Sequence, residues 1–218
     1  MISEIATLTQ IETELKKRWQ FPYHWGRFQN DKEDKLTNFI YEILYFEDLL
    51  DEIKRRLKKE DNYDALFQYT LNRWYNFWSA KGIEHIFALS PKVKANPDSK
   101  DKFKDFDIQS IPFDHKSSIF PKSYPSPIEF AIQNPVSLIE WLYQNQSQEQ
   151  RKHLKNRLFI VFFDTNHHHW KLKAEISWLR TKIEEYLDNF QFERLQRISF
   201  SEQEIVFSDI IWAIKESQ

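Results

Sequence analysis

Asp105-Phe106-Asp107-Ile108-Gln109-Ser110-Ile111-Pro112-Phe113-Asp114-His115-Lys116 is the stretch on which the fold turns. Its charged and apolar residues alternate, as the two faces of a β-strand require. A chain reversal between Ser110 and Ile111 makes it a hairpin, with Asp107 opposite Asp114 and Asp105 opposite Lys116. All four then share one face, while Phe106, Ile108, Phe113 and His115 form a mostly apolar face that can pack on a core. Two opposed carboxylates repel unless a cation lies between them, so the pairing points to a metal held by Asp107 and Asp114. Mg²⁺ suits such a face, being bound by one or two carboxylates plus water and phosphate oxygens. Lys116 then lies beside the metal, where it can orient or help deprotonate an attacking water. The alternative is an exposed charged face on which Lys116 pairs with Asp105 while Asp107 and Asp114 point to solvent.

Upstream of the hairpin, apolar spacing predicts a helix from Tyr63 to Ala80 that stops at Gly82, and a strand from Ile83 to Leu89. Lys92 to Lys104 reads as an exposed polar loop. Downstream, Asn134-Pro135 starts a helix, and Ser147 with Gln150 is a capping box for a second helix reaching Asn156. Leu158 to Phe163 is an unbroken apolar run, which predicts a central strand covered on both faces and lying beside the hairpin. A long helix is expected over Trp170 to Phe190, strands over Leu195 to Phe200 and Ile205 to Phe207, and a last helix capped by Ser208 and running through Trp212. Toward the N-terminus, Ile5, Leu8, Ile11 and Leu15 mark one helix, broken by Pro22, and Lys35 to Lys59 carries a single helical face. The expected architecture is α/β: a mixed central sheet flanked by helices over 61–218, preceded by a helical segment over 1–60, with the boundary near Asp61.

Asp114-His115-Lys116 following an acid on the preceding strand resembles the PD-(D/E)xK nuclease superfamily. That family is a helix, a three-stranded antiparallel meander, a further helix and a returning strand, and residues 63–164 can be read in that order. The literal Pro-Asp pair is Pro97-Asp98, in the polar loop; Asp107 is preferred because it comes out opposite Asp114. The resemblance implies a Mg²⁺-dependent endonuclease hydrolysing DNA, of restriction type, in which Asp107 and Asp114 ligate metal and Lys116 assists the water. It also implies a homodimer. The family often adds a helical Glu upstream, for which Glu84 is the nearest candidate, although it reads here as a strand residue. His115, as the middle residue, would offer its backbone carbonyl. The second reading is a nonenzymatic nucleic-acid-binding or interaction protein that keeps a nuclease-like fold.

Composition narrows the field further. The 218 residues contain no cysteine and two glycines, so thiol catalysis, zinc ribbons, Walker loops and dinucleotide fingerprints cannot be written in them. No signal-peptide or membrane-spanning run is read, and the expected compartment is the cytoplasm. A net charge of −2 offers no global attraction to DNA, so binding must rely on a local patch. Arg151, Lys152 and Lys155 are the candidate phosphate contacts, although a basic helix end answering its own dipole is an equal reading. His167-His168-His169 suggests a loop or phosphate contact, since three adjacent residues cannot all reach one ion. Trp19, Phe21, Tyr23, Trp25 and Phe28 are expected to close a small core.

Overall fold

The computed structural model describes residues 7–23, 31–97, 104–145, 155–202 and 204–216. The chain forms two compact units, Met1–Ile83 with Lys173–Ser177, and Glu84–Leu172 with Trp178–Gln218. Asp61 lies in the turn that follows the third of the helices described next.

The first unit is helical. α1 (Leu8–Lys17) opens on a capping box between Thr7 and Gln10. The stretch expected to be one helix is two, α2 (Asp31–Thr37) and α3 (Phe46–Leu57), separated by a 3₁₀ turn and extended residues. The break has a tertiary cause. The indole N–H groups of Trp74 and Trp78 both donate to the Ile43 carbonyl, at 2.7 and 2.8 Å, and buried Glu14 accepts the Phe46 N–H at 2.7 Å, capping α3 from outside. Phe21 packs on Phe46 and Phe67, as a core role for that aromatic group requires; Trp25 and Phe28 lie outside the described residues.

α4 (Tyr63–Leu89) runs through the predicted stop at Gly82 and through the predicted strand over Ile83 to Leu89. A short apolar run is the same for a buried helix and a buried strand, so periodicity could not separate them. Gly82 serves close packing instead of termination: a Cβ there would stand 2.8 Å from Ile176 Cδ1. From Glu84 onward the helix belongs to the second unit.

That unit is a six-stranded mixed sheet flanked by helices. Its strands are β1 (Val93–Ala95), β2 (Phe106–Ile108), β3 (Ile111–Ile119), β4 (Arg157–Asp164), β5 (Gln196–Ser199) and β6 (Ile205–Lys215), in the spatial order β1-β2-β3-β4-β6-β5. β1, β2 and β3 form an antiparallel meander, β4 is parallel to both β3 and β6, and β5 is antiparallel to β6. β1 falls within the stretch read as a loop, where Val93 supplies one of few apolar side chains. α5 (Ile128–Gln133) and α6 (Pro135–Asn145) connect β3 to β4, and α6 starts at the expected Pro135. The helix expected from Ser147 falls largely outside the described residues.

β4 is the central strand anticipated from its sequence, with Leu158 through Phe162 fully buried. One face meets α6 through Leu138, Ile139, Leu142 and Tyr143, which surround Phe159 and Val161. The segment Trp170 to Phe190 divides into a 3₁₀ stretch, His169–Ala174, and α7 (Ile176–Asp188). The predicted short strand and final helix are one strand, β6. Ser208 does not cap a helix, because its hydroxyl is taken by the Tyr143 hydroxyl at 2.7 Å, and the whole run pairs with β4. Among the described residues no helix is long and apolar enough to cross a membrane.

Candidate metal centre

The hairpin forms, in a register different from the expected one. β2 and β3 are joined by Gln109 and Ser110, both at positive φ (49° and 68°), and Asp107 pairs with Pro112 instead of Asp114. The reason is steric. A two-residue loop with both positions left-handed matches the twist of the flanking strands, and Gln109-Ser110 can adopt it, whereas the expected register would force β-branched Ile111 into that conformation.

This register separates the carboxylates expected to share a metal. Asp107 is held by Lys104, whose Nζ lies 2.8 and 3.0 Å from its two oxygens. Asp114 accepts from Lys116 Nζ at 2.8 Å and is ion-paired with Arg157 Nε at 3.4 Å. Each acid therefore has a cation of its own, and the repulsion argued for an opposed pair is not the feature that organises the site. The alternative pairing of Lys116 with Asp105 is not made either. Asp98, of the literal Pro-Asp pair, lies outside the described residues.

Asp105 leaves the face on which alternation placed it. Continued register would set it opposite Asp114, but its N–H donates to the Phe113 carbonyl at 2.8 Å, one residue out of step. Its carboxylate then turns to His115, accepting the backbone N–H at 2.7 Å and lying 2.8 Å from the ring Nδ1. The Asp105 side chain thus ends the β2–β3 ladder in place of a backbone carbonyl. Burial alone would raise its carboxyl pKa. The hydrogen bonds and charge of His115, and then the charge of Lys116, outweigh burial and hold it below the ordinary carboxylate value.

Glu84, carried on the last turns of α4, completes the cluster: one ligand atom each from Glu84, Asp105 and His115 lies within 4.8 Å of the others. His115 is buried, while the two acids are half-buried, and the ring is stacked with Phe106 and tilted against Phe87. This donor set fits a divalent cation. Two carboxylates meet the demand of Mg²⁺ or Mn²⁺ for oxygen, and one imidazole adds a nitrogen that favours Mn²⁺ and the later transition metals. Glu84 was within reach of sequence reasoning only as the family's helical Glu. His115 as a side-chain donor carried no signal, because alternation assigned it to the core.

Of the proposed nucleic-acid contacts, Arg151 and Lys152 lie outside the described residues, and the Lys155 carbonyl accepts the Tyr143 hydroxyl. His169 Nδ1 accepts the Asp164 N–H at 2.8 Å, so its ring presents an Nε2–H donor and not a metal ligand. Asp209, which sequence reasoning passed over, is half-buried on β6 and accepts from Tyr186 Oη at 3.1 Å and from the Ile210 N–H; partial burial raises its carboxyl pKa. No protein-family model matches this chain, and neither curated proteins nor solved structures give a match.

Proposed function

We propose that this protein is a divalent-metal-dependent nuclease that hydrolyses DNA phosphodiester bonds, with its metal on Glu84, Asp105 and His115. The observation that carries the reading is the approach of these three ligand atoms to within 4.8 Å of one another at the end of the β2–β3 ladder. The order of helix, antiparallel meander, helices and returning parallel strand supports it as well. A divalent ion bound there supplies Lewis-acid activation of a phosphodiester oxygen and of water. Asp105 fixes the His115 ring and backbone together, so the donors are positioned before any ion arrives. Lys116 is the neighbouring cation: its charge is felt at Asp105, its side chain is 46% exposed, and it can offset charge gathering on a phosphate.

The test is incubation of purified protein with supercoiled plasmid in EDTA, Mg²⁺ or Mn²⁺, alongside Asp105→Asn. Nicking that needs metal and vanishes in the variant is expected. No cleavage with either ion, or full cleavage by a folded variant, refutes the proposal.

A second reading, a DNA-binding protein without turnover, draws on one observation: Asp105 and His115 satisfy each other without an ion. Calorimetric titration with Mn²⁺ separates the two, because only the nuclease reading requires binding at this cluster.

A further inference from the structure

Asp114, Arg157 and Ser208 lie side by side on β3, β4 and β6, in register and on one face of the sheet. The Arg157 side chain is only 10% exposed, and its guanidinium carbon stands 4.8 Å from the centroid of the Tyr143 ring. Tyr143 is itself fixed, donating to the Lys155 carbonyl and bonded to Ser208 Oγ at 2.7 Å. A guanidinium carries five N–H donors. Among the described residues the Arg157 guanidinium finds no hydrogen-bond acceptor: Nε is shielded from solvent, and its 3.4 Å approach to Asp114 Oδ2 is an ion pair without a hydrogen bond.

Such an arrangement is costly as pure scaffolding, because a buried donor left unmet, here Nε, loses its hydration without return. It is well suited to an oxyanion. The cation is held over an aromatic ring, and its fork matches the oxygens of a phosphate group. Lys116 donates to the other oxygen of Asp114 at 2.8 Å, so two cations share one carboxylate and the group keeps a net positive charge. Asp114 orients both cations and leaves the Arg157 fork unused.

We propose that Arg157 and Lys116 form a phosphate-binding site that takes a phosphate group of a nucleic acid, separate from the metal ligands. This rests on the nucleic-acid reading above and names the residues that would grip the substrate. Lys116, the exposed cation, meets the phosphate first, and Arg157 beneath it supplies paired donors.

Binding is measured in EDTA, so that cleavage plays no part, with inorganic phosphate, a 5′-phosphorylated DNA oligonucleotide and its 5′-hydroxyl counterpart. Arg157→Met should weaken every interaction that the wild type shows by about tenfold or more, with Arg157→Lys intermediate because charge remains and the fork is lost. Binding of inorganic phosphate together with a preference for the 5′-phosphorylated oligonucleotide over its 5′-hydroxyl counterpart assigns a terminal phosphate; equal binding of both oligonucleotides assigns the backbone. Unchanged affinities in folded Arg157→Met, or no binding of any probe by the wild type, overturn the site. Should Arg157→Met not fold, ¹⁵N-labelled arginine in the wild type decides: the Arg157 Nε resonance, assigned with Arg157→Lys, must shift on adding the oligonucleotide, and a stationary resonance refutes the site. Metal-dependent cleavage together with intact Arg157→Met binding would refute this site alone and leave the nuclease reading standing.

Discussion

Asp105→Asn is the substitution whose consequences follow most directly from the geometry. In the metal-free protein the carboxylate accepts two bonds from His115, at 2.7 and 2.8 Å. The amide keeps one carbonyl oxygen for the backbone N–H and loses the charge-assisted contact with the ring, so stability should fall by about 1–3 kcal/mol. Metal separates this structural cost from a ligand role. At a Mn²⁺ concentration 100 times the dissociation constant, binding stabilises the wild type by about 2.7 kcal/mol. At roughly 2–4 °C per kcal/mol for a chain of this length, that is a rise in melting temperature of about 5–11 °C. Removing one of three ligands should weaken binding on the order of 100-fold, the upper end of what loss of even an outer-shell partner costs. The same Mn²⁺ concentration then only equals the dissociation constant, and the gain shrinks to about 0.4 kcal/mol. The assay is thermal melting of both proteins with and without Mn²⁺. A variant that keeps the wild-type metal shift would show that Asp105 is not a ligand, and a wild type with no shift would remove the metal centre altogether.

Phe162→Ala empties a fully buried position on the central strand and should cost about 3–5 kcal/mol, read as a lower urea midpoint. Tyr143→Phe strips the hydroxyl from the Lys155 carbonyl and Ser208 Oγ and should cost about 1–3 kcal/mol; a neutral result would mean that these groups find other partners. Lys173, buried with its Nζ donating to Asn76 at 2.9 Å, has its ammonium pKa pushed down by burial to about 8 from 10.5. The folded state therefore binds fewer protons than the unfolded one between about pH 8 and 10.5, and stability should rise with pH across that window by up to about 3 kcal/mol. Lys173→Met should abolish this rise, and urea midpoints of the two proteins that stay parallel from pH 7.5 to 10 would refute the assignment.

The candidate site was half legible in the sequence. Alternation made residues 104–118 a hairpin, as the antiparallel pairing of β2 and β3 bears out, and found the group of charges in it, because side-chain period two is a local property. It misassigned the partners of those charges. The register depended on a loop in which Gln109 and Ser110 adopt positive φ, and on Asp105 stepping out of line to hold His115. Glu84 reached the cluster only because α4 continues past Gly82, which is there to make room for Ile176 and not to end the helix.

Local chemistry within the chain determined the fold class, the burial of β4 and the start of α6 at Pro135. Leu158 to Phe163 needs cover on both faces wherever it lies, and Asn134-Pro135 suits a helix start in any context. Tertiary structure decided where α2 and α3 divide, whether Ile83 to Leu89 coils or extends, whether Ser208 caps a helix or pairs inside a sheet, and which acids meet. Each of those outcomes turns on a hydrogen bond or contact with a residue distant in the chain: Trp74 and Trp78 on Ile43, Ile176 against Gly82, Tyr143 on Ser208, Asp105 on His115. Periodicity reports which face of an element is apolar. It carries no information on which distant donor will claim a given carbonyl or carboxylate, and in this protein those claims set both the element boundaries and the composition of the site.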